Sequence, residues 1–179
     1  YAEHWIRLGR GIAEFLQEGG FDLDPDKVRV QKSARYRELV ETSVQPMPGA
    51  LAVLRRLQGR KTLALASSAY PDAVDCVLRT LGIEGHFSTI VSRGHVERIK
   101  PFPDIFLYAA KALAVAPSSC VVLEDAEKGV IAASEAGMAC IAVPNEYTRL
   151  NDFSRASAVV SSLDEVTVGL IDSLGGRET

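Results

Sequence analysis

The fold of this chain is decided by the stretch Val121-Val122-Leu123-Glu124-Asp125-Ala126-Glu127-Lys128-Gly129-Val130. Its apolar first part predicts a buried strand of a parallel sheet, and a helix is predicted over residues 126–136. Two carboxylates stand at the carboxyl end of the strand, where open α/β sheets bind their ligands. Adjacent carboxylates suit a hard cation such as Mg²⁺. The alternative is that Asp125 only caps the helix while Glu124 is solvated.

Composition and charge exclude several classes of protein. The chain has 179 residues, of which 47% are hydrophobic and 24% charged, as in one globular domain with a small insert. Its net charge of −3, with both signs mixed, argues against nucleic-acid or membrane partners. No apolar run approaches the ~20 residues of a membrane span, and no signal peptide is visible. Cys76, Cys120 and Cys140 are widely spaced, which favours buried thiols of a cytoplasmic protein.

The first 45 residues have a different spacing of apolar residues from the rest of the chain. Apolar positions predict a helix over residues 5–16 and a second from Asp24-Pro25 to about residue 40, with Gly19-Gly20 between them. Pro46-Met47-Pro48-Gly49 is then the candidate linker. We therefore expect an all-helical cap over residues 1–45 and an α/β core over residues 46–179.

Strands and helices alternate through the core. Strands are predicted at 62–66, 88–91, 120–123, 139–143 and 158–160, and helices at 50–57, 72–81, 103–113, 126–136 and 163–174. This alternation predicts an α/β fold with a doubly wound parallel sheet and helices on both faces.

Two further motifs follow predicted strands. Ser67 and Ser68 precede a helix whose first turn contains Pro71, where hydroxyl and backbone donors could hold a phosphate; a plain capping turn is the alternative. Lys100 precedes Pro101 and Pro103, which stiffen the backbone and would fix the direction of the ammonium group. The alternative for Lys100 is a solvated surface charge. A hydroxyl, an ammonium and paired carboxylates are the groups that phosphoryl transfer needs.

The order of these motifs resembles the haloacid dehalogenase-like (HAD) phosphohydrolases, and within them the β-phosphoglucomutase-like branch with a helical cap. The matching segments are residues 63–68, 100–106 and 123–125, with Gly129 and Ala136-Gly137-Met138 after them. Pro46-Met47-Pro48-Gly49 is similar to the Pro-Gly entry into the core of that branch. The resemblance extends from about Asp24 to Val160 and implies a Rossmann-like core.

The resemblance implies a role for each matched residue. Ser67 and Lys100 would be the catalytic residues that bind the transferring phosphoryl group, with help from the N–H of Ser68. Glu124 and Asp125 would hold Mg²⁺, directly or through water. Lys32 falls where relatives place a cap lysine that faces the distal part of the substrate, and a solvated helix charge is the alternative. The implied reaction is hydrolysis of a small phosphomonoester, with a sugar phosphate as one candidate, or transfer by a mutase.

One part of the family pattern does not match. The family's nucleophile is the first Asp of an Asp-x-Asp-Gly motif that closes the central strand of the sheet. Phe21-Asp22-Leu23-Asp24 is similar to its start, but it lacks a preceding apolar run and continues into Pro25-Asp26, as a helix start does. We reject it, and the nucleophile is expected to lie outside this chain, which alone would be inactive.

Two explanations remain open for this departure. Either an upstream segment carries the first strand and the nucleophile, or the protein is a non-catalytic HAD-like binding protein. A missing central strand would leave its two neighbours without a hydrogen-bonded partner. The hypothesis therefore predicts an interruption, or a foreign strand, at the centre of the sheet.

Overall fold

The computed structural model describes residues 11–175, which form seven α-helices and five β-strands. In chain order they are α1 (Ile12–Glu18), α2 (Pro25–Ser43), α3 (Ala50–Leu57), β1 (Ala64–Ala66), α4 (Pro71–Leu81), β2 (Thr89–Val91), α5 (Asp104–Ala112), β3 (Val121–Glu124), α6 (Glu127–Glu135), β4 (Ala139–Ala142), β5 (Ala158–Val159) and α7 (Val168–Leu174). The fold is mixed α/β with parallel strands, as the alternating pattern predicts. None of the helices in the described range is long and apolar enough to cross a membrane.

A helical hairpin, residues 12–43, consists of α1 and α2. The segment of the first predicted helix before Gly11 lies outside the described residues. Asp24 begins α2, because its carboxylate accepts hydrogen bonds from the N–H groups of Asp26 (2.9 Å) and Lys27 (3.4 Å). Pro25 takes the first helical position. Helix capping therefore accounts for the Asp22-Leu23-Asp24 segment, which is not at the end of a strand.

The hairpin rests on the core through α4. Helix α2 packs along α4, and Arg37 of α2 forms an ion pair with Asp72 of α4 at 3.6 Å. The hairpin adds little to the buried core, since Val40 is the single buried residue of α2. An exposed helical layer over one end of the core leaves room for a cavity between the two.

The described strands form two separate parallel sheets. One sheet pairs β1 with β2, in the register Leu65 to Ile90. The other has the order β3–β4–β5, with Glu124 opposite Ala142. Within residues 11–175, β1 and β3 each have one hydrogen-bonded neighbour. The interruption of the sheet that was expected from the absence of an Asp-x-Asp-Gly motif is therefore present in this range.

Helices cover both faces of the larger sheet. The side chains of β3 and β4 alternate, because successive residues of a strand point to opposite faces. Val122 and Cys140 face a cluster with α5 and α6, whereas Ile141 faces a second cluster with α3 and α7. Helix α5 also contacts β1, β2 and α6, so the two sheets share one helical layer. Ser68, which follows β1, and Lys128, which follows β3, line one cavity, so the carboxyl ends of the two strands face the same space.

The last predicted helix is interrupted. Instead of one helix over residues 163–174, a 3₁₀ turn at Leu163–Glu165 precedes α7. Val166 is fully buried between them, and Thr167 begins α7 by accepting a hydrogen bond from the N–H of Leu170 at 3.0 Å. Burial of Val166 and a new N-cap therefore override the helical pattern of the sequence.

The three cysteines differ in burial, which corrects the expectation that all are buried. Cys140 is 1% exposed, whereas Cys76 and Cys120 are half-buried free thiols. Burial, with a smaller contribution from the negative charge of Glu124, raises the pKa of Cys140 to about 12. Burial also raises the pKa of Cys120 above its ordinary value.

Cys140 is expected to resist thiol reagents in the folded protein. Because the thiolate is the reactive form, a thiol with a pKa of about 12 stays protonated at pH 8. With a chromogenic disulfide reagent we expect Cys76 to react in buffer, Cys120 to react more slowly because its pKa is raised, and Cys140 to react only after unfolding in guanidinium. The variant Cys140→Ala should remove only the thiol that reacts after unfolding. Rapid reaction of all three thiols in buffer would contradict this assignment.

Candidate active site

An ion pair between Lys100 and Glu124 lies at the centre of the candidate site. The two side chains are only 10% and 9% exposed. Glu124 ends β3, while Lys100 belongs to the loop between β2 and α5, so the pair crosses from one sheet to the other. The ammonium group also lies 4.7 Å from the centroid of the Phe106 ring. The sequence prediction that Lys100 is a placed cation and not a solvated charge agrees with this geometry.

The loop that carries Lys100 is fixed on both sides. Arg98 donates two hydrogen bonds of 3.0 Å to the two carboxylate oxygens of Asp104, the first residue of α5. The guanidinium group of Arg98 also lies 4.7 Å from the centroid of the Phe102 ring. A bidentate pair across the loop restricts its conformations. The position of the Lys100 ammonium therefore depends on local residues as well as on Glu124.

Both carboxylate oxygens of Glu124 are engaged. Oε1 accepts from Lys100, and Oε2 accepts from the N–H groups of Asp125 (3.0 Å) and Ala126 (3.4 Å). Burial opposes ionisation of this carboxyl group, but the charge of Lys100 and these hydrogen bonds outweigh it and lower the pKa of Glu124. Glu124 is therefore an ionised carboxylate with both oxygens hydrogen-bonded inside the protein.

Gly129 makes the position of Glu124 possible. Gly129 lies in the first turn of α6, and the Glu124 side chain lies against its backbone. A Cβ at residue 129 would stand 2.5 Å from Glu124 Cγ and closer still to Cδ and Oε1. Only glycine leaves room for the Glu124 side chain to fold back toward Lys100.

Asp125 is exposed and is the more accessible of the two acids. Its Oδ2 accepts a hydrogen bond of 2.8 Å from the side-chain amide of Asn145. Desolvation of the carboxyl group and then repulsion from Glu124 raise the pKa of Asp125 above its ordinary value. Nearby positive charge is therefore favourable for the ionised form of Asp125.

The exposed carboxylate of Asp125, beside the ionised carboxylate of Glu124, fits a magnesium ion. Mg²⁺ is usually held by one or two protein carboxylates and completes its shell with water and phosphate oxygens. Across the described range there is no group of three or more His, Cys, Asp or Glu side chains that could hold a metal. The chemistry of the donor set thus suits Mg²⁺ better than a transition metal held by nitrogen and sulfur ligands.

A cavity of about 770 Å³ lies between the helical hairpin and the core. Residues from three of the sequence motifs, or next to them, line it: Ser68, Ile99 beside Lys100, and Lys128 three positions after Asp125. Lys32 of α2 lines it as well, so the cavity contains two residues predicted to bind substrate. The hairpin and the rim of the sheet therefore face one shared space.

The lining of this cavity is positively charged. It contains five cations against three carboxylates, although the whole chain has a net charge of −3. The cations are Arg29, Lys32, Arg37, Arg93 and Lys128, and the carboxylates are Glu14, Asp26 and Asp72. Such a lining favours an anionic ligand.

The two serines after β1 have different surroundings. Ser67 accepts a hydrogen bond from the N–H of Ala69 at 3.2 Å, the local turn that was the alternative interpretation of this motif. Ser67 is not among the residues that line the cavity, whereas Ser68 is. The hydroxyl oxygen of Ser68 is buried and lacks a hydrogen-bond partner in the described structure. A buried hydroxyl without a partner is rare, so Ser68 is a candidate hydrogen-bonding group for a ligand in the cavity.

Sequence reasoning missed two polar residues beside the carboxylates. Asn145 follows β4 at the same rim, and its place after an apolar run was the available signal. Lys128 is half-buried, and burial lowers its pKa, although the charges of Glu124 and Asp125 oppose this effect. A lysine in the first turn of a helix has no sequence signal that distinguishes it from a solvated charge.

Comparison with protein-family models gives one match that covers most of the chain. Residues 1–137 match the model of a hydrolase family described as haloacid dehalogenase-like hydrolase. The chain belongs to the haloacid dehalogenase-like hydrolases. The family that the three motifs indicated is therefore confirmed.

Relatives within the HAD family include phosphatases and a phosphomutase. The chain is 34% identical over 137 residues to the fructose-1-phosphate phosphatase YqaB of Escherichia coli (strain K12), covering 76% of this chain and 71% of YqaB. The crystal structure of CbbY from Rhodobacter sphaeroides in complex with phosphate is similar with a TM-score of 0.78 and 29% identity, covering 84% of this chain and 70% of CbbY. A β-phosphoglucomutase from Clostridium difficile gives a TM-score of 0.71 and 29% identity, covering 88% of this chain and 72% of that one. These matches support the β-phosphoglucomutase-like branch.

Proposed function

We propose that this HAD protein takes part in the Mg²⁺-dependent hydrolysis of a small phosphomonoester. The observation that carries the proposal is the Lys100–Glu124–Asp125 group at the rim of the sheets, beside a cavity whose lining is cationic. The name of the relative YqaB favours a sugar phosphate as the substrate. A cavity of about 770 Å³ is within the size range of sites for small ligands.

Each of the described site residues would have its own role in binding the metal or the substrate. Asp125 would bind Mg²⁺ directly, and Glu124, whose oxygens are engaged, would act through water and hold Lys100 in place. Lys100, Ser67 and the backbone N–H of Ser68 would bind the phosphoryl oxygens, while Lys32 would face the distal part of the substrate. When bound, Mg²⁺ would neutralise charge on the phosphoryl group.

The nucleophile would come from a strand between β1 and β3. Both strands contribute to the same apolar cluster, and each has a single described neighbour, so a parallel strand between them would join the two sheets. An Asp at its carboxyl end would attack phosphorus and displace the substrate oxygen, giving an aspartyl-phosphate. Water would then release inorganic phosphate. Return of the phosphoryl group to the substrate instead would make the protein a mutase.

Phosphate release by the longer protein tests this proposal. The coding region upstream of Tyr1 should be examined for an apolar run ending in Asp-x-Asp-Gly, and the protein that includes it assayed on sugar phosphates with and without Mg²⁺. We expect Mg²⁺-dependent activity, and a loss of at least about 100-fold in Asp125→Ala, because a metal stabilises the transition state by several kcal/mol.

Asp75→Ala is the matched control for this loss. Asp75 forms an exposed pair with Arg79 at 3.9 Å on α4, and such pairs contribute little. We expect its activity to equal that of the unmodified protein. Activity that is independent of Mg²⁺, or that survives Asp125→Ala, would refute the proposed site. Binding of phosphate without turnover would favour a non-catalytic binding protein.

A further inference from the structure

Asn145 links the loop after β4 to the loop after β3. Its side-chain nitrogen Nδ2 donates a hydrogen bond of 2.8 Å to Oδ2 of Asp125. The two loops are also joined through the sheet, because Glu124 pairs with Ala142 and the N–H of Val143 donates to the carbonyl of Glu124 at 2.7 Å. Asn145 is thus attached to the same framework as the carboxylate that it contacts.

The orientation of the Asn145 amide is determined by its second contact. Its Oδ1 accepts a hydrogen bond of 2.8 Å from the backbone N–H of Tyr147. Only an oxygen can accept from that N–H, so the NH₂ group must face Asp125. A flipped amide would place two donors together and two acceptors together.

The backbone around Asn145 is equally constrained. Its N–H donates to the hydroxyl of Thr148 at 3.0 Å, and its carbonyl accepts from the N–H of Thr148 at 3.1 Å. Thr148 is 0% exposed, which makes it one of two buried polar residues in the described core. A buried threonine and two reciprocal hydrogen bonds hold the turn, so Asn145 cannot follow Asp125 if that side chain moves.

Asp125 needs such a partner because Glu124, its neighbour, repels it. A donor on Oδ2 opposes this repulsion, because it favours the ionised form of Asp125. We infer that Asn145 is a positioning residue that holds the carboxylate of Asp125 in its ligand-binding orientation. The inference rests on the proposed role of Asp125 toward Mg²⁺. Hydrogen-bond partners of metal-binding carboxylates typically contribute 10–100-fold to metal affinity.

Direct measurement of Mg²⁺ binding tests this inference. Calorimetric titration of the longer protein with Mg²⁺ alone should show about 10–100-fold weaker binding for both Asn145→Ala and Asn145→Ser. Serine can still accept from the Tyr147 N–H but ends one atom short of the amide nitrogen. We therefore expect Asn145→Ser to keep its metal-free melting temperature close to that of the unmodified protein, which separates positioning from support of the turn.

Asn151→Ala is the matched control. Asn151 accepts a hydrogen bond of 3.1 Å from the N–H of Glu127 in the same region, and within the described residues none of its hydrogen bonds is to Asp125. We expect it to bind Mg²⁺ as the unmodified protein does. Normal Mg²⁺ binding by Asn145→Ser would overturn the inference while leaving the proposed function intact. Failure of Asp125→Ala to weaken Mg²⁺ binding would refute the proposed function and the inference with it.

Discussion

Replacing Lys100 with methionine is expected to lower the free energy of unfolding by about 3–5 kcal/mol at pH 8. Methionine fills a similar volume, so the packing against Phe106 is largely kept. The loss arises because Glu124, which is 9% exposed, would remain as a buried charge without its cation. Urea unfolding followed by circular dichroism measures this change.

The same variant should reverse the pH dependence of the Glu124 contribution. In the unmodified protein Glu124 has a lowered pKa, so its stabilising contribution is present above its ordinary value of 4.5 and is lost as the pH falls through the folded-state pKa. Without Lys100, burial would raise that pKa above 4.5. The variant would then be stable at low pH and lose stability as the pH rises. The difference between the two proteins should therefore be larger at pH 8 than at pH 5.

Lys61→Met is the matched control for the Lys100 variant. Lys61 pairs with Asp172, and these side chains are 35% and 53% exposed. Exposed pairs contribute about 0–1 kcal/mol, so this variant should change stability little. The double variant Lys100→Met/Glu124→Gln should recover most of the loss, because no buried charge remains. A Lys100→Met effect no larger than that of Lys61→Met would contradict the prediction.

Replacing Gly129 with alanine is expected to lower the free energy of unfolding by a similar amount, about 3–5 kcal/mol. The added methyl group would overlap Cγ, Cδ and Oε1 of Glu124, so this side chain must leave its pocket. This movement would break the buried ion pair and leave the ammonium group of Lys100 buried without its carboxylate partner. Activity of the longer protein should fall in parallel. Chemical unfolding and phosphate release measure the two effects.

The Gly129 effect should depend on the side chain at position 124. In a Glu124→Ala background the overlapping atoms are absent, so Gly129→Ala should be neutral or should stabilise α6 by up to about 1 kcal/mol. Gly169→Ala in α7 is the control, because its Cβ would meet only an ordinary contact at 3.9 Å. Equal effects of Gly129→Ala in both backgrounds would show that crowding of Glu124 is not the cause.

The sequence predicts the helices and strands, and the edge of the sheet at which the site residues lie, because both depend on local patterns. Alternating apolar runs locate β3 and β4, and Asp24-Pro25 marks the start of α2 by its capping chemistry. Since parallel strands end at one edge, the rim position of Glu124 and Asp125 follows as well. The interruption of the sheet was predictable only through the family resemblance, since no local pattern reveals a missing neighbour.

Contacts between distant side chains could not be predicted in the same way. The Asn145–Asp125 hydrogen bond and the direction in which Glu124 folds depend on three-dimensional packing, and adjacent acids in a sequence do not show which one is engaged. The break before α7 depends on burial of Val166, which outweighs a helical pattern. The roles of all the predicted site residues stay predictions until metal and substrate binding are measured: Lys32, Ser67, Ser68, Lys100, Glu124 and Asp125.

The ion pair across the interrupted sheet has a mechanical consequence. Within residues 11–175 no hydrogen-bond ladder runs from β1 to β3, so a shared apolar cluster, the contacts between α5 and α6 and the Lys100–Glu124 pair connect the two halves of the core. Lys100, which is proposed to bind phosphate, therefore also helps to hold the two halves in place, and a ligand that draws its ammonium group away from Glu124 would weaken that connection.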